Sequence, residues 1–173
     1  MQGKIFEGDY KTRCKNIDSL LCVGDTFDML KREIRLGDRH AVFYMIDGFL
    51  KGEVLEKIME FFLSLAPEDV PETYEDFLKK CTPYGDIVTV TTEQDFLHYV
   101  LSGLTGFVVE GYDEILVIDL RDYPSRSVEE PDKDKVLRGS RDGFVEAIMP
   151  NIALIRRRIR EVDLKFEIYS IGS

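Results

Sequence analysis

Six arginines, Arg138, Arg141, Arg156, Arg157, Arg158 and Arg160, crowd one stretch near the end of this sequence. Only Asp142 and Glu146 oppose them there, so the stretch carries +4 while the whole chain carries −10 and the remainder −14. A guanidinium presents a planar fork of donors that fits carboxylate or phosphate bidentately. Arg138-Gly139-Ser140-Arg141-Asp142-Gly143 precedes a helical pattern, and Asp142 or Ser140 could cap that helix. The free amides of such a terminus, flanked by Arg138 and Arg141, would suit a phosphate or carboxylate. The acidic run Glu129-Glu130-Pro131-Asp132 lies just upstream, and the same two arginines could instead close on it as a structural clasp. The loop carrying it opens at Arg121. Arg156, Arg157 and Arg158 fall at the end of the helix, where positive charge complements the dipole. Their density exceeds that need, so a contact with an acidic partner surface or lipid head groups stands beside the dipole reading.

No other constellation points to chemistry. The sequence holds no glycine-rich phosphate loop, no G-x-S-x-G elbow and no H-E-x-x-H pair. His40 opens a strand pattern and His98 lies in a helical one; each reads as a partly buried structural histidine without the partner a catalytic base needs. Cys14, Cys22 and Cys81 are odd in number and lack zinc or disulfide spacing, so three reduced thiols are expected. The acidic loop misses the alternation of a calcium site. No catalytic residue, cofactor or metal ligand is expected, and the chain does not read as an enzyme. A net charge of −10 disfavours nucleic acid, whose backbone requires a basic face. The N-terminus has no apolar signal region, and no stretch approaches the roughly 18 apolar residues of a membrane span. The polypeptide as given is expected to be soluble and cytosolic.

The elements that must carry these residues follow from periodicity. Residues 1–25 read as a tail or short helix. Met29 to Leu36 and His40 to Asp47 read as a hairpin, the second strand apolar almost throughout, as if covered on both faces. Val54, Leu55, Ile58, Met59, Phe62 and Leu65 space as an amphipathic helix stopped by Pro67, and a weaker helix spans 70–80. Asp86 to Val90 reads as a short strand, and Thr92 with Asp95 as a capping box opening a further helix. Gly106 to Glu110 and Glu114 to Leu120 make a second hairpin. Residues 121–137 form a 17-residue polar loop, long enough to suggest a function. Phe144, Ile148, Ile152, Ile155 and Ile159 form a helix stripe that Pro150 should kink or restart. Leu164, Phe166 and Ile168 alternate as a last strand, expected to belong partly to a further sheet and to pair with a second copy. The expected fold class is α/β, a mixed sheet with flanking helices. The expected division is a tail over 1–25, an α/β subdomain over 26–161, and the start of a second subdomain over 162–173.

Three runs together resemble the GerA family of spore germination proteins. They are Asp119 to Pro131, Lys135 to Glu146 with its R-G-S-R-D-G-F-V-E, and Asn151 to Arg160. The resemblance covers about Asp25 to Ser173. The run R-G-S-R-D-G-F-V-E and the opening Thr26-Phe27-Asp28 are closer to the branch that includes stage V sporulation protein AF. Ser125 and Ser127 stand where the family commonly has glycine, so this loop does not need positive φ at both. The resemblance implies a non-enzymatic domain that helps assemble or gate an ion-conducting germination complex. It also implies other germination-complex subunits as partners and a place at the spore inner membrane, while self-association is expected from the last strand. This domain would lie on the cytoplasmic side, with anchoring through a region beyond it. A ligand- or anion-sensing regulatory domain is the alternative.

Overall fold

The computed structural model describes residues 3–50, 52–81, 87–121, 144–169 and 171. A 3-10 turn at Lys4–Phe6 leads to helix α1 (Tyr10–Leu20), then strands β1 (Met29–Leu36) and β2 (Arg39–Ile46). Helix α2 (Gly52–Ser64), a 3-10 turn at Pro67–Asp69 and helix α3 (Tyr74–Lys80) follow. Strand β3 (Ile87–Val90), helix α4 (Glu93–Leu101), strands β4 (Thr105–Val109) and β5 (Ile115–Ile118), and helix α5 (Ile148–Arg158) complete the order.

The strands form one sheet in the order β1-β2-β4-β5-β3. The α/β class holds, and every pairing among these strands is antiparallel where a mixed sheet was expected. Alternation sends β2 side chains to two cores. Val42, Tyr44 and Ile46 join one with α1 and α4, while Ala41, Phe43 and Met45 join the other with α2 and α3. The second core is built on Phe43, Phe62, Phe77 and Phe107, with Phe43 and Phe107 ring centroids 4.4 Å apart. Gly106 lets α4 approach, because a Cβ there would lie 2.7 Å from Phe96 Cε2.

Both hairpins, α2, α3, β3 and α4 form where the pattern places them. Thr92 accepts from the Asp95 N–H, and its hydroxyl donates to the Asp95 carboxylate at 2.7 Å. The tail reading of the first residues needs correction. The turn at Lys4–Phe6 and α1 pack into the first core, with Ile5, Ile17 and Leu21 fully covered. Helix α1 is capped by Asp9, which accepts from the Thr12 N–H at 2.9 Å.

The last helix also differs. It begins at Ile148 with Ala147 at its N-cap, so neither Asp142 nor Ser140 occupies that position. Asn151 instead bonds both ways with Val145, accepting from its N–H at 2.8 Å and donating to its carbonyl at 2.6 Å. Pro150 is the third residue of the helix, where its missing N–H would have no intrahelical acceptor, so the helix need not kink there. The buried face is Ile152, Ala153 and Arg156, whereas Phe144, Ile148 and Ile159 are exposed. The step of three and four is present, but turned by about one residue from the isoleucine stripe. The final segment, residues 164–169, forms no strand where one was expected. Val162, Leu164 and Phe166 face inward, while Ile168 is 43% exposed.

Candidate functional site

The structure gathers charge at two places that the apolar pattern alone would have left to hydrocarbon. The first is the end of α5. Gly48, with φ +84, turns the chain after β2 and lets α5 pack closely, its would-be Cβ lying 3.1 Å from Ala153 Cβ. That contact sets the face of α5 that points inward and brings Arg156 beneath the sheet edge, 1% exposed.

Arg156 Nε donates to Asp28 Oδ2 at 2.7 Å and Nη2 to Asp28 Oδ1 at 2.9 Å, a two-point pair with a carboxylate that is 0% exposed. Thr26 Oγ1 donates to the same carboxylate at 2.7 Å. Two of the remaining three guanidinium N–H donors go to backbone: Nη1 to the Glu161 carbonyl at 2.9 Å and Nη2 to the Leu164 carbonyl at 2.7 Å. The Phe166 ring lies 5.1 Å below the guanidinium carbon. Phe166 N–H donates to Thr26 Oγ1 at 3.0 Å, and Phe27 N–H donates to the Phe166 carbonyl at 2.9 Å. Burying two charges is costly unless each is paired and its other hydrogen-bonding positions are filled. Here both Asp28 oxygens and four of the five Arg156 N–H donors have partners.

The second place is Arg13 on α1, 4% exposed. It donates to the Tyr112 carbonyl at 2.6 Å, the Asp113 carbonyl at 2.8 Å and the Ile5 carbonyl at 3.3 Å, gripping the turn between β4 and β5. Burial lowers its pKa, with the nearby Asp113 opposing.

Of the residues singled out from sequence, Arg156 is withdrawn from any contact surface. It is committed to Asp28 and to two carbonyls, because α5 turns this side chain under the sheet edge. Arg157, Arg158 and Arg160 are exposed around the helix end, and Arg160 Nη1 reaches Ser102 Oγ at 3.3 Å. Arg121 leaves β5 paired with Asp119: Nε donates to Asp119 Oδ1 at 2.8 Å and Nη2 to Oδ2. Those hydrogen bonds hold the Asp119 carboxyl below its ordinary pKa. Glu129, Glu130, Asp132, Arg138, Gly139, Arg141 and Asp142 lie outside the described residues, and with them the proposed clasp and anion site.

Both histidines are exposed rather than partly buried. His40 stacks on Tyr10 at 6.3 Å and its ring meets Arg35 Nη1 at 3.0 Å, while His98 sets its ring edgewise to Tyr99. Cys14 and Cys81 are buried and Cys22 is half-buried. Burial raises the pKa of Cys14 and of Cys81, which makes neither a ready nucleophile. Among the described residues no group of three or more His, Cys, Asp and Glu could hold a metal, and no helix is long and apolar enough to cross a membrane. A groove of about 380 Å³ opens between α1 and the β1–β2 hairpin, bordered by Tyr10, Lys11, Lys15, Lys31, Glu33 and His40. Within it, burial works against the Lys31 charge. Hydrogen bonds to Asp18 at 2.8 Å and to Glu33 outweigh that and raise its pKa.

Sequence reasoning missed Arg13 as a site residue, and read Asp28 only as part of a resemblance. One signal was available for both arginines. Arg13 lies on the stripe Tyr10, Cys14, Ile17 and Leu21, and Arg156 lies four after Ile152 and three after Ala153. An arginine on the apolar stripe of a helix is directed inward.

Comparison with known proteins bears on what this arrangement serves. Residues 17–173 match the family model described as Bacillus/Clostridium GerA spore germination protein. The chain is 34% identical over 152 residues to stage V sporulation protein AF of Bacillus subtilis (strain 168), covering 87% of this chain and 31% of that protein. It is 27% identical over 156 residues to spore germination protein KA of the same organism, covering 87% of this chain and 28% of that protein. The chain thus spans less than a third of the length of these two curated relatives. Its fold is similar to the crystal structure of the N-terminal domain of the A subunit of the Bacillus megaterium spore germinant receptor GerK3. The TM-score is 0.67 at 18% identity, covering 96% of this chain and 61% of that one.

Proposed function

This chain belongs to the GerA family of spore germination proteins, and on that premise we propose that it is a non-enzymatic coupling domain of a spore germination complex. In this reading it helps assemble or gate an ion-conducting assembly at the spore inner membrane, from the cytoplasmic side. Other germination subunits and further copies of itself are its partners. The observation that carries the proposal is the family match, which runs over 157 of the chain's residues, from 17 to 173. The geometry is consistent with it. The buried charges Asp28, Arg156 and Arg13 hold elements together, and in this reading Arg157, Arg158 and Arg160, exposed at the end of α5, form the contact surface.

The test is a replacement in the spore. The native copy is exchanged for one carrying Arg157→Glu, Arg158→Glu and Arg160→Glu, and ion release is followed after triggering germination. Protein level in the spore membrane fraction is measured alongside. Normal accumulation with delayed or absent ion release is the expected result. Unchanged release with the triple variant present would overturn the assignment of this surface.

A ligand- or anion-sensing role has one observation in its favour, the groove of about 380 Å³ bordered by Lys11, Lys15, Lys31 and His40. A ligand at 100 times its Kd stabilises by about 2.7 kcal/mol. A thermal-shift screen with phosphate, nucleotides and amino acids detects such a gain, and a flat screen removes this reading.

A further inference from the structure

Residues 161–169 run beside the start of β1 without joining the sheet; Phe166 exchanges hydrogen bonds with Thr26 and Phe27 and Lys165 pairs with Asp25, but the buried part of the attachment centres on one side chain. Arg156 is the common partner: its guanidinium holds the Glu161 and Leu164 carbonyls and stacks on Phe166. Its other edge holds Asp28 at two points. Thr26 bridges the two sides, since its hydroxyl donates to Asp28 and accepts from the Phe166 N–H. Asp28 in turn accepts at its backbone carbonyl from the Asp47 N–H at 2.8 Å, which ties the site to the end of β2 and to Gly48, against which α5 packs. The loop of contacts therefore closes: α5, segment 161–169, the entrance to β1, the exit of β2, and α5 again.

We propose that the Asp28–Arg156 pair is a latch that makes docking of residues 161–169 a two-state event, coupled to the β1–β2 hairpin. The physical reason is the cost of the intermediate. If the segment leaves while the pair stays, Arg156 loses two carbonyl partners and the face of Phe166, and a guanidinium that is 1% exposed must find other partners. If the pair breaks while the segment stays, a carboxylate that is 0% exposed is left with Thr26 alone. Both half-open states leave a buried charge poorly satisfied, so the docked and released states are the two stable arrangements. A pull on the segment is transmitted through Arg156 to Asp28 and through its carbonyl to Asp47, and so reaches both strands of the hairpin. Coupling of this kind is reciprocal: loosening the pair must loosen the segment, and loosening the segment must loosen the pair. The latch stands on contacts within this chain and does not depend on what complex the domain serves.

Hydrogen exchange and side-chain NMR on the whole chain test it. Arg156→Lys keeps the charge but cannot span two carboxylate oxygens and two carbonyls at once. The expected result is exchange at the Phe27, Asp47 and Phe166 amides at least about tenfold faster, with amides in β4 and β5 changed less than about threefold. Phe166→Ala provides the reverse arm, since it removes the stacking face and leaves every hydrogen bond of the pair available. There the Arg156 Nε–H should exchange with solvent at least about tenfold faster, although neither Asp28 nor Arg156 has been altered. If either variant accelerates all amides by one common factor, the pair is a core brace with no latch behaviour and the proposal fails. An unchanged Arg156 Nε–H exchange rate in Phe166→Ala, with the segment released, would also overturn it.

Discussion

Replacing Arg13 by Met removes the guanidinium while retaining an apolar stem of comparable reach. Arg13 is 4% exposed and makes two short hydrogen bonds, to the Tyr112 carbonyl at 2.6 Å and the Asp113 carbonyl at 2.8 Å. A hydrogen bond from a charged donor contributes about 1.5–3 kcal/mol, so the two together suggest about 3–6 kcal/mol. Part of that is offset, because removing the charge also removes the penalty of holding a guanidinium out of water, the burial that depresses its pKa. The longer contacts to Ile5 at 3.3 Å and Glu114 at 3.4 Å add little. The net expected loss is about 2–4 kcal/mol. Urea unfolding followed by far-UV circular dichroism measures it, with Arg13→Lys as a control that can satisfy one carbonyl and should fall between. If Arg13→Met stays within about 1 kcal/mol of the parent with an unchanged denaturant slope, the turn between β4 and β5 does not depend on α1. In that case residues 3–20 would be an accessory layer and not part of the cooperative fold.

Asp28→Ala should destabilise by about 3–5 kcal/mol, because it leaves Arg156 buried beside no carboxylate. The double replacement Asp28→Leu with Arg156→Met should recover most of that in the same urea assay, and failure to recover would mean the site needs charge for some further reason. Gly106→Ala should cost about 1–3 kcal/mol, since its Cβ would lie 2.7 Å from the Phe96 ring, and Phe96→Leu should relieve it. A Gly106→Ala chain with unchanged melting would contradict the close packing of α4 on β4. The Asp119 carboxyl titrates below its ordinary value beside Arg121, so its stabilisation is present above about pH 4 and is lost as pH falls through the folded value. The pair is partly exposed, so Asp119→Asn should cost roughly 0.5–1 kcal/mol at pH 7 and almost nothing at pH 2, compared by unfolding at both.

Much of the fold was legible because its signals are local. The apolar run from Ala41 to Ile46 announces a strand covered on both faces, and both cores lie against it. The turn residues Gly37 and Gly111 adopt φ +60 and +89, which glycine tolerates without strain, so both hairpins could be placed to within a residue or two. The capping pair Thr92 and Asp95 fixed the start of α4 for the same reason: partners three residues apart meet whatever the rest of the chain does.

What the pattern could not settle was which face of a helix meets which part of the sheet. Periodicity near α5 identified an inward stripe of Phe144, Ile148, Ile152, Ile155 and Ile159. Ile152 is buried as expected, but the closeness of Gly48 to Ala153 turns the helix so that Ala153 and Arg156 are covered beside it, while Phe144, Ile148 and Ile159 are exposed. Arg156 and Asp28 are 128 positions apart, and their pairing is a long-range event with no trace in local spacing. The same holds for Arg13 and Tyr112, 99 positions apart. Composition and charge alone made nucleic-acid binding unfavourable, and an ordered run of residues carried the family resemblance. Which arginines remain on the surface and which are consumed inside was decided only by tertiary packing, because a guanidinium is stable in either place as long as its donors are met.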